Sequence, residues 1–300
     1  MSAAESEEGA PQRLSHFTPL RYPGGKAKLA PFIKSVIEAN RLYDGDYVEP
    51  YAGGAGIAME LLLHEYVDHI HVNDISRHIV AFWRSVLDRA DQLIKLIQTT
   101  PLSVSSWDRQ KYIVANEREF DDLELGFATL FLNRTNRSGI LNGGIIGGRN
   151  QSGPWKIDAR FNRAGLAARV QAISRLRRRI TVTRQDAKDF LEKSVPDLPR
   201  NTLIYLDPPY YRKGKQLYYD YYTHQDHVEI ADTVKRRLKN RRWVVSYDDT
   251  PQIRALYRPF RHVPYRIGYS ARDVRQGSEI MFFSTGLSIP PLAGSMKKAQ

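Results

Sequence analysis

Leu203-Ile204-Tyr205-Leu206-Asp207-Pro208-Pro209-Tyr210 runs from four apolar residues straight onto a carboxylate, two prolines and an aromatic ring. The apolar four follow the turn-forming Pro199-Arg200-Asn201 and fit a short interior strand of a parallel sheet. Proline cannot donate to a sheet ladder, so this strand is predicted to end at Asp207. In open α/β sheets ligands gather beyond the carboxyl ends of the strands, which is where Asp207 and Tyr210 would stand. The two prolines fix φ and remove two amide donors, leaving a stiff turn that can aim the Asp207 carboxylate and the Pro208 carbonyl into a pocket. Two rigid acceptors suit a group with protons to give, such as the exocyclic amine of a nucleobase, and the flat face of Tyr210 offers a stacking surface for the same base.

Outward from that strand the chain alternates strand and helix. Tyr47-Val48-Glu49-Pro50 reads as a first strand ending in the glycine-rich Tyr51-Ala52-Gly53-Gly54-Ala55-Gly56, which runs into an apolar helix. Strand, glycine turn and helix form a nucleotide-cofactor unit. His69-Ile70-His71-Val72-Asn73 is a second strand, and Asp74 at its end follows the glycines by about 20 residues, the spacing of a carboxylate that accepts ribose hydroxyls. Further strands are expected at 179–184, 203–206, 242–247, 263–267 and 280–284, with helices at 76–87, 224–239 and after Thr250-Pro251. The predicted fold class is α/β, a Rossmann-like seven-stranded mixed sheet.

Residues 89–178 interrupt the alternation with a helical and then irregular pattern, and are read as an inserted, mostly helical domain. Its centre, Asn133-Arg134-Thr135-Asn136-Arg137-Ser138-Gly139, leads into a polar glycine loop ending at Arg149-Asn150. The catalytic domain would then comprise 14–88 and 179–288. Residues 1–13 and 289–300 are expected to be flexible tails, rich in small and polar residues.

Composition bounds the partners. The chain has 300 residues, 42% of them hydrophobic, enough for a substantial core, and a formal net charge of +12 that points toward a polyanion. It has no cysteine, which excludes thiolate metal sites and disulfides. No metal is expected. No stretch approaches the roughly 18 apolar residues of a membrane span, and the acidic start lacks a signal pattern, so the expected location is cytoplasmic and away from membranes.

The tetrapeptide Asp207-Pro208-Pro209-Tyr210 resembles the catalytic signature of amino-group methyltransferases that use S-adenosylmethionine. Together with Ala52-Gly53-Gly54, Asp74 and the intervening basic region, it resembles the Dam-type (D12 class) adenine-N6 DNA methyltransferases. Cofactor motif first, recognition insert next and catalytic tetrapeptide last is similar to their alpha motif order. Arg21-Tyr22-Pro23-Gly24-Gly25-Lys26 is similar to a motif these enzymes place over the cofactor, so the resemblance implies that Tyr22 and Lys26 contact S-adenosylmethionine, with Pro50, Ala52, Gly53, Gly54, Asp74 and Asp207. Asp186 is similar to an acid near the cofactor's adenine, and Asp189 could serve instead. Asn133-Arg134-Thr135 and Ser246-Tyr247-Asp248-Asp249-Thr250-Pro251 sit where short family motifs occur. The resemblance spans about 17–284.

The implied activity is site-specific methylation of adenine N6 in double-stranded DNA, with the base flipped out of the duplex, where its amino group is otherwise paired. Asn133, Arg134, Asn136, Arg137 and Arg149 are the candidate DNA contacts, Asn142 and the cluster Arg175, Arg177, Arg178, Arg179 are further ones, and a restriction endonuclease of the same system is a candidate partner. Tyr211, Tyr218, Tyr219, Tyr221 and Tyr222 form either a lid over the base or packing. Open alternatives are methylation of another planar amine (cytosine N4, RNA adenine, protein glutamine), a non-catalytic nucleic-acid-binding module, and a nicotinamide oxidoreductase, against which the glycines' departure from G-x-G-x-x-G counts.

Overall fold

A computed structural model describes residues 17–21, 26–212, 222–267, 278–294 and 296–298. Tyr22, Tyr218, Tyr219 and Tyr221, and the expected tail at 1–13, lie outside the described residues.

The predicted strands form because each is a short apolar run with both faces to cover. They are β1 (Asp46–Glu49), β2 (His69–Asn73), β3 (Ile180–Thr183), β4 (Leu203–Leu206), β5 (Arg242–Asp248), β6 (Arg261–Ile267) and β7 (Glu279–Phe283). An eighth strand, β8 (Met296–Lys298), pairs antiparallel with β6 through Tyr265 and Lys298. That corrects two expectations, the seven-stranded sheet and a tail flexible throughout 289–300. Met296 is buried at the edge, and Ile289 and Leu292 pack against the same core.

The strand order is β3-β2-β1-β4-β5-β7-β6-β8. The first five are parallel, and β7 inserts antiparallel between β5 and β6. Chain order reverses direction between β1 and β4, where Val48 lies beside Ile204. The crevice beyond their carboxyl ends is the topological switch point at which such sheets bind ligands.

Alternation along β4 sends Leu203 and Tyr205 into one core and Ile204 and Leu206 into the other. The first face is covered by α1 (Ala30–Ala39), α2 (Gly56–Leu63), α3 (Arg77–Asp88), α4 (Ala90–Thr99), α5 (Val104–Ala115), α6 (Asp122–Thr135) and α7 (Arg163–Arg175). The second is covered by α8 (Ala187–Lys193), α9 (His224–Arg237) and α10 (Pro251–Leu256).

The helices of the insert share the first core and have no separate one. Gly126 on α6 makes the junction, since a Cβ there would stand 2.5 Å from Ser85 Oγ and 2.7 Å from the Ala81 carbonyl on α3. Only glycine allows the two backbones to approach this closely. The 88/89 boundary is therefore one of chain order, and α7 doubles as the crossover helix into β3.

Candidate active site

Asp207 follows the last residue of β4, as the proline pair requires. Ser246, on the neighbouring β5, donates to Asp207 Oδ1 at 2.7 Å and shares a second hydrogen bond of 2.7 Å with the Tyr205 hydroxyl. Lys26 reaches in from the 3-10 turn at Lys26–Leu29, its Nζ 3.1 Å from the same Oδ1. Burial pushes the Asp207 carboxyl above its usual range, while Lys26 and Ser246 pull it back and Glu279 adds to the rise. For Lys26, burial opposes the charge, but Asp207, Tyr265, Tyr210 and Glu279 outweigh it and the ammonium titrates well above normal.

Glu279, the first residue of β7, escaped the sequence reading. It is 4% exposed and accepts from Lys26 Nζ at 3.0 Å, the Tyr210 hydroxyl at 2.8 Å and the Tyr265 hydroxyl at 2.7 Å. Lys26 thus bridges two carboxylates, and its Nζ also lies 5.3 Å from the centroid of the Tyr210 ring. The only local hint was an acid opening an apolar strand, which reads equally as a solvated strand end.

The turn carrying the tetrapeptide is tied down from β5. Asp248 accepts from the amides of Tyr211 at 2.8 Å and Arg212 at 3.0 Å. The order of strands brings it there, because Leu206 pairs with Val245 and Asp248 lies three residues further along β5.

Across the switch point, β1 passes into the glycine turn. Gly53 takes φ +45°, donates its amide to Asp74 Oδ2 at 2.9 Å, and accepts from the Trp83 indole at 3.0 Å. Ala55 also has φ +45°, a conformation a non-glycine residue holds only when its surroundings enforce it. The other Asp74 oxygen accepts from Ser76 N at 2.9 Å. Two backbone amides, of Gly53 and Ser76, thus hold the Asp74 carboxylate in place. Buried Asn73 clips three strand ends, donating to the carbonyls of Pro50 and Gln185 at 3.1 and 3.0 Å and accepting from Gln185 N and Thr183 Oγ1 at 3.0 and 2.8 Å. Ala52 N adds a 2.9 Å bond to the Asn73 carbonyl.

Glu49, at the end of β1, was also missed. Its carboxyl accepts from the Tyr47 hydroxyl and from Ala58 N, each at 3.1 Å, and burial pushes it up to about 8 despite both bonds.

Asp186 caps α8 by accepting from Lys188 N at 2.9 Å and stays exposed at the end of β3. Asp189 pairs instead with Lys193 at 3.2 Å on the helix surface. Burial raises the Tyr222 phenol, the hydrogen bond with Tyr51 lowers it, and the charges of Asp186, Asp226 and Asp74 add to the rise. The Tyr222 hydroxyl lies 3.0 Å from that of Tyr51, which follows β1. Tyr211 and Tyr222 pack on the buried His227 ring at 5.1 and 5.4 Å between centroids, so these two of the post-motif tyrosines belong to packing. Burial lowers the His227 imidazole to about 4.

The insert residues divide differently from expectation. Asn133 is buried; it accepts from Arg21 N at 2.7 Å and donates to the carbonyls of Arg21 and Gly139 at 2.7 and 3.0 Å. Asn136 is buried, accepts from the Trp107 indole at 2.6 Å, and donates to Ile140 and Leu141, each at 2.9 Å. With both amide hydrogens of each side chain engaged inside the protein, neither can read a base edge, which corrects their assignment as DNA contacts. Arg134 is partly buried and donates to the Pro19 carbonyl; burial, with Arg169, Arg21 and Arg160 nearby, lowers its guanidinium to about 9. Arg137 is exposed. Arg149 is exposed and holds Asp108 through two bonds of 2.8 and 2.9 Å. In the basic cluster, Arg179 ties Glu65 and the Asp68 carbonyl to the strand, a structural task.

A parallel β3-β2-β1-β4-β5 sheet with an antiparallel β7, a glycine turn answered by an acid at the end of β2, and Asp-Pro-Pro-Tyr at the end of β4 together define an α/β amino-group methyltransferase. The family model for D12 class N6 adenine-specific DNA methyltransferases matches residues 22–266, and the chain belongs to that family. It is an adenine-specific DNA methyltransferase. A Type II methyltransferase, M.MjaIII of Methanocaldococcus jannaschii, is 25% identical over 224 residues, covering 69% of this chain and 73% of that protein. Among solved structures, an rRNA methyltransferase, aviRa of Streptomyces viridochromogenes, matches over 88% of this chain and 86% of its own at 13% identity, with a TM-score of 0.40. No helix among the described residues is long and apolar enough to cross a membrane.

Proposed function

We propose that this chain binds S-adenosylmethionine between the glycine turn after β1 and Asp74, and methylates N6 of an adenine flipped out of double-stranded DNA at a specific site. The observation that carries this reading is the adjacency of β1 and β4, which sets the glycine turn and Asp207 on the two sides of one crevice. S-adenosylmethionine supplies a sulfonium-activated methyl group, so the protein's task is to hold an amine in line with it.

The residues present fit that cofactor. Gly53 bends the chain at a positive φ, and Asp74, fixed by two backbone amides, presents a carboxylate to ribose hydroxyls. Pro50, Ala52 and Gly54 shape the turn, Asp186 stands on the adenosine side, Lys26 approaches from the 3-10 turn ahead of α1, and Tyr22 is assigned to the cofactor by its motif alone.

Asp207 does the chemical positioning. Ser246 and Lys26 both engage Oδ1, which leaves Oδ2 for an amine proton, while the Pro208 carbonyl takes the other. Drawing both protons into the amine plane's flanks frees the nitrogen lone pair from the ring. Asp207, its carboxyl raised by burial, is also the nearest base for the proton that the methylated nitrogen sheds. Tyr210 stacks on the extruded base, at on the order of 1–3 kcal/mol, and offsets part of the cost of flipping. Arg134, Arg137 and Arg149 face the phosphates. The likeness to a Type II methyltransferase supports a restriction endonuclease of the same system as partner.

Offering DNA, RNA and protein together with isotopically labelled S-adenosylmethionine tests the reading by mass spectrometry. N6-methyladenine in duplex DNA at one recurring sequence is the expected product. Label confined to RNA, protein or cytosine would overturn it.

A further inference from the structure

Ser246 has one hydroxyl proton and two oxygen neighbours within reach of it. Its Oγ lies 2.7 Å from Asp207 Oδ1 and 2.7 Å from the Tyr205 hydroxyl. A carboxylate only accepts, so the Ser246 proton goes to Asp207 and Tyr205 donates to Ser246. The chain therefore runs one way, from Tyr205 through Ser246 to Asp207. Among the described residues the Tyr205 hydroxyl has no hydrogen-bond partner but Ser246. Turning the chain round would strand the proton of this buried phenol, at the cost of an unmade hydrogen bond.

Strand pairing lines the three groups up. Leu206 pairs with Val245, and one residue further the same register sets Ser246 beside Asp207, on the sheet face that Tyr205 shares with Val244. Other groups face Asp207 as well: Lys26 from its 3-10 turn, Glu279 on β7, Tyr47 and Glu49 on β1, and Tyr247 on β5. Lys26 in turn faces Tyr210 and Tyr265. Against burial, which raises the Asp207 carboxyl, Lys26 and then Ser246 lower it.

We propose that Tyr205 and Ser246 are positioning residues for methyl transfer, a one-way chain of hydroxyl donors that occupies Asp207 Oδ1, holds the carboxylate in one orientation and reserves Oδ2 for the adenine amine. The inference rests on the role given to Asp207 above. Without Ser246 the carboxylate would keep only the flexible Lys26 on Oδ1 and would turn more freely about its own bonds. Without Tyr205 the Ser246 hydroxyl would lose the donor that aims it at Asp207.

The test measures single-turnover transfer to duplex DNA, its pH dependence and calorimetric affinity for S-adenosylmethionine in the full-length wild-type chain, S246A, Y205F and the double variant. S246A is expected to slow transfer by about tenfold to a hundredfold, the size of one hydrogen bond to a charged group, with the cofactor dissociation constant within about threefold of wild type. The lost donor leaves the Asp207 carboxyl higher, so the acidic limb of the profile should move to higher pH. Y205F should slow transfer by about threefold to tenfold and move the limb the same way. The double variant should be no slower than S246A, because Tyr205 acts through Ser246. It also leaves no buried hydroxyl unpaired, so the same loss and the same limb are expected of it where S246A folds poorly. A packing role would lower the unfolding temperature and leave the limb in place. Transfer within about twofold of wild type in S246A, an acidic limb unmoved in both S246A and the double variant, or a double-variant loss equal to the product of the single losses overturns the inference alone. A wild-type chain that transfers no methyl group to DNA, or Asp207→Ala at wild-type rate, overturns the proposed function and the inference with it.

Discussion

The amide of Tyr211 donates to Asp248 Oδ1 at 2.8 Å, so the residue that follows Asp207-Pro208-Pro209-Tyr210 hangs from the next strand of the sheet. The adjacent amide of Arg212 takes the other oxygen at 3.0 Å. Asp248→Ala would release the turn at its downstream end while leaving the glycine turn after β1 untouched. The expected result is a fall in kcat of about tenfold or more, because positioning is most of what this reaction asks of the protein. The dissociation constant for S-adenosylmethionine should change by less than about threefold. Steady-state kinetics paired with calorimetry separate the two.

Asp207→Ala removes the proposed acceptor for the amine and should cut single-turnover transfer by about a thousandfold or more, with thermal unfolding close to wild type. Tyr210→Ala should act earlier, lowering the fluorescence signal of 2-aminopurine placed at the target position, which reports extrusion of the base. Near wild-type turnover by Asp207→Ala would refute the roles given to both.

Glu49 makes stability depend on pH. Its carboxyl titrates at about 8 when folded against a usual value of 4.5, so the folded chain holds a proton that the unfolded chain releases. Its favourable contribution is complete below about 4.5 and is lost progressively as the pH rises through about 8. Glu49→Gln, which keeps the shape without titrating, should therefore gain thermal stability relative to wild type between these limits, and the difference should level off above. Melting temperatures from pH 4 to 9 give the curve, and a difference flat with pH would show that Glu49 is ionised in the folded chain.

The insert makes two opposite demands. Asn133→Ala strips a buried side chain from the Arg21 backbone and should cost about 2–4 kcal/mol of stability without altering which DNA sequence is methylated. Arg137→Ala, at an exposed position, should leave stability within about 0.5 kcal/mol and reduce the salt dependence of DNA binding by roughly one phosphate contact. Denaturant titration and binding isotherms at several salt concentrations check the pair.

Gly53→Ala places a side chain at φ +45° in the turn that donates to Asp74. The left-handed conformation costs roughly 1–2 kcal/mol for a residue with a Cβ. Relaxation of that strain would draw the amide away from Asp74, so affinity for S-adenosylmethionine is expected to drop about tenfold. Calorimetry on the purified variant measures it directly.

Local signals carried much of the fold. The apolar four of β4, the proline pair that ends it, and the strand, glycine turn and helix around Gly53 are short-range patterns whose meaning depends on a few neighbours. They placed β1, β2, β4 and the elements between, and they pointed to the Asp207 end of β4 as the site. Asn133 and Asn136 misled because a polar stretch beside a glycine loop reads as surface. Leu125 to Leu132 just before them are buried throughout, and only packing against α3, α5 and the Arg21 segment shows that the polar end is buried too.

What the sequence alone determined was seven of the eight strands, the glycine turn after β1 and the Asp207-Pro208-Pro209-Tyr210 turn after β4, since each is written within a single segment. Tertiary structure alone decided which groups stand around Asp207. Lys26 and Glu279 are 253 residues apart and meet at 3.0 Å because β7 inserts between β5 and β6 and points its first residue back toward the β4 turn. Pairing of distant strands is chosen by the combined burial of both sheet faces, a property no single segment contains.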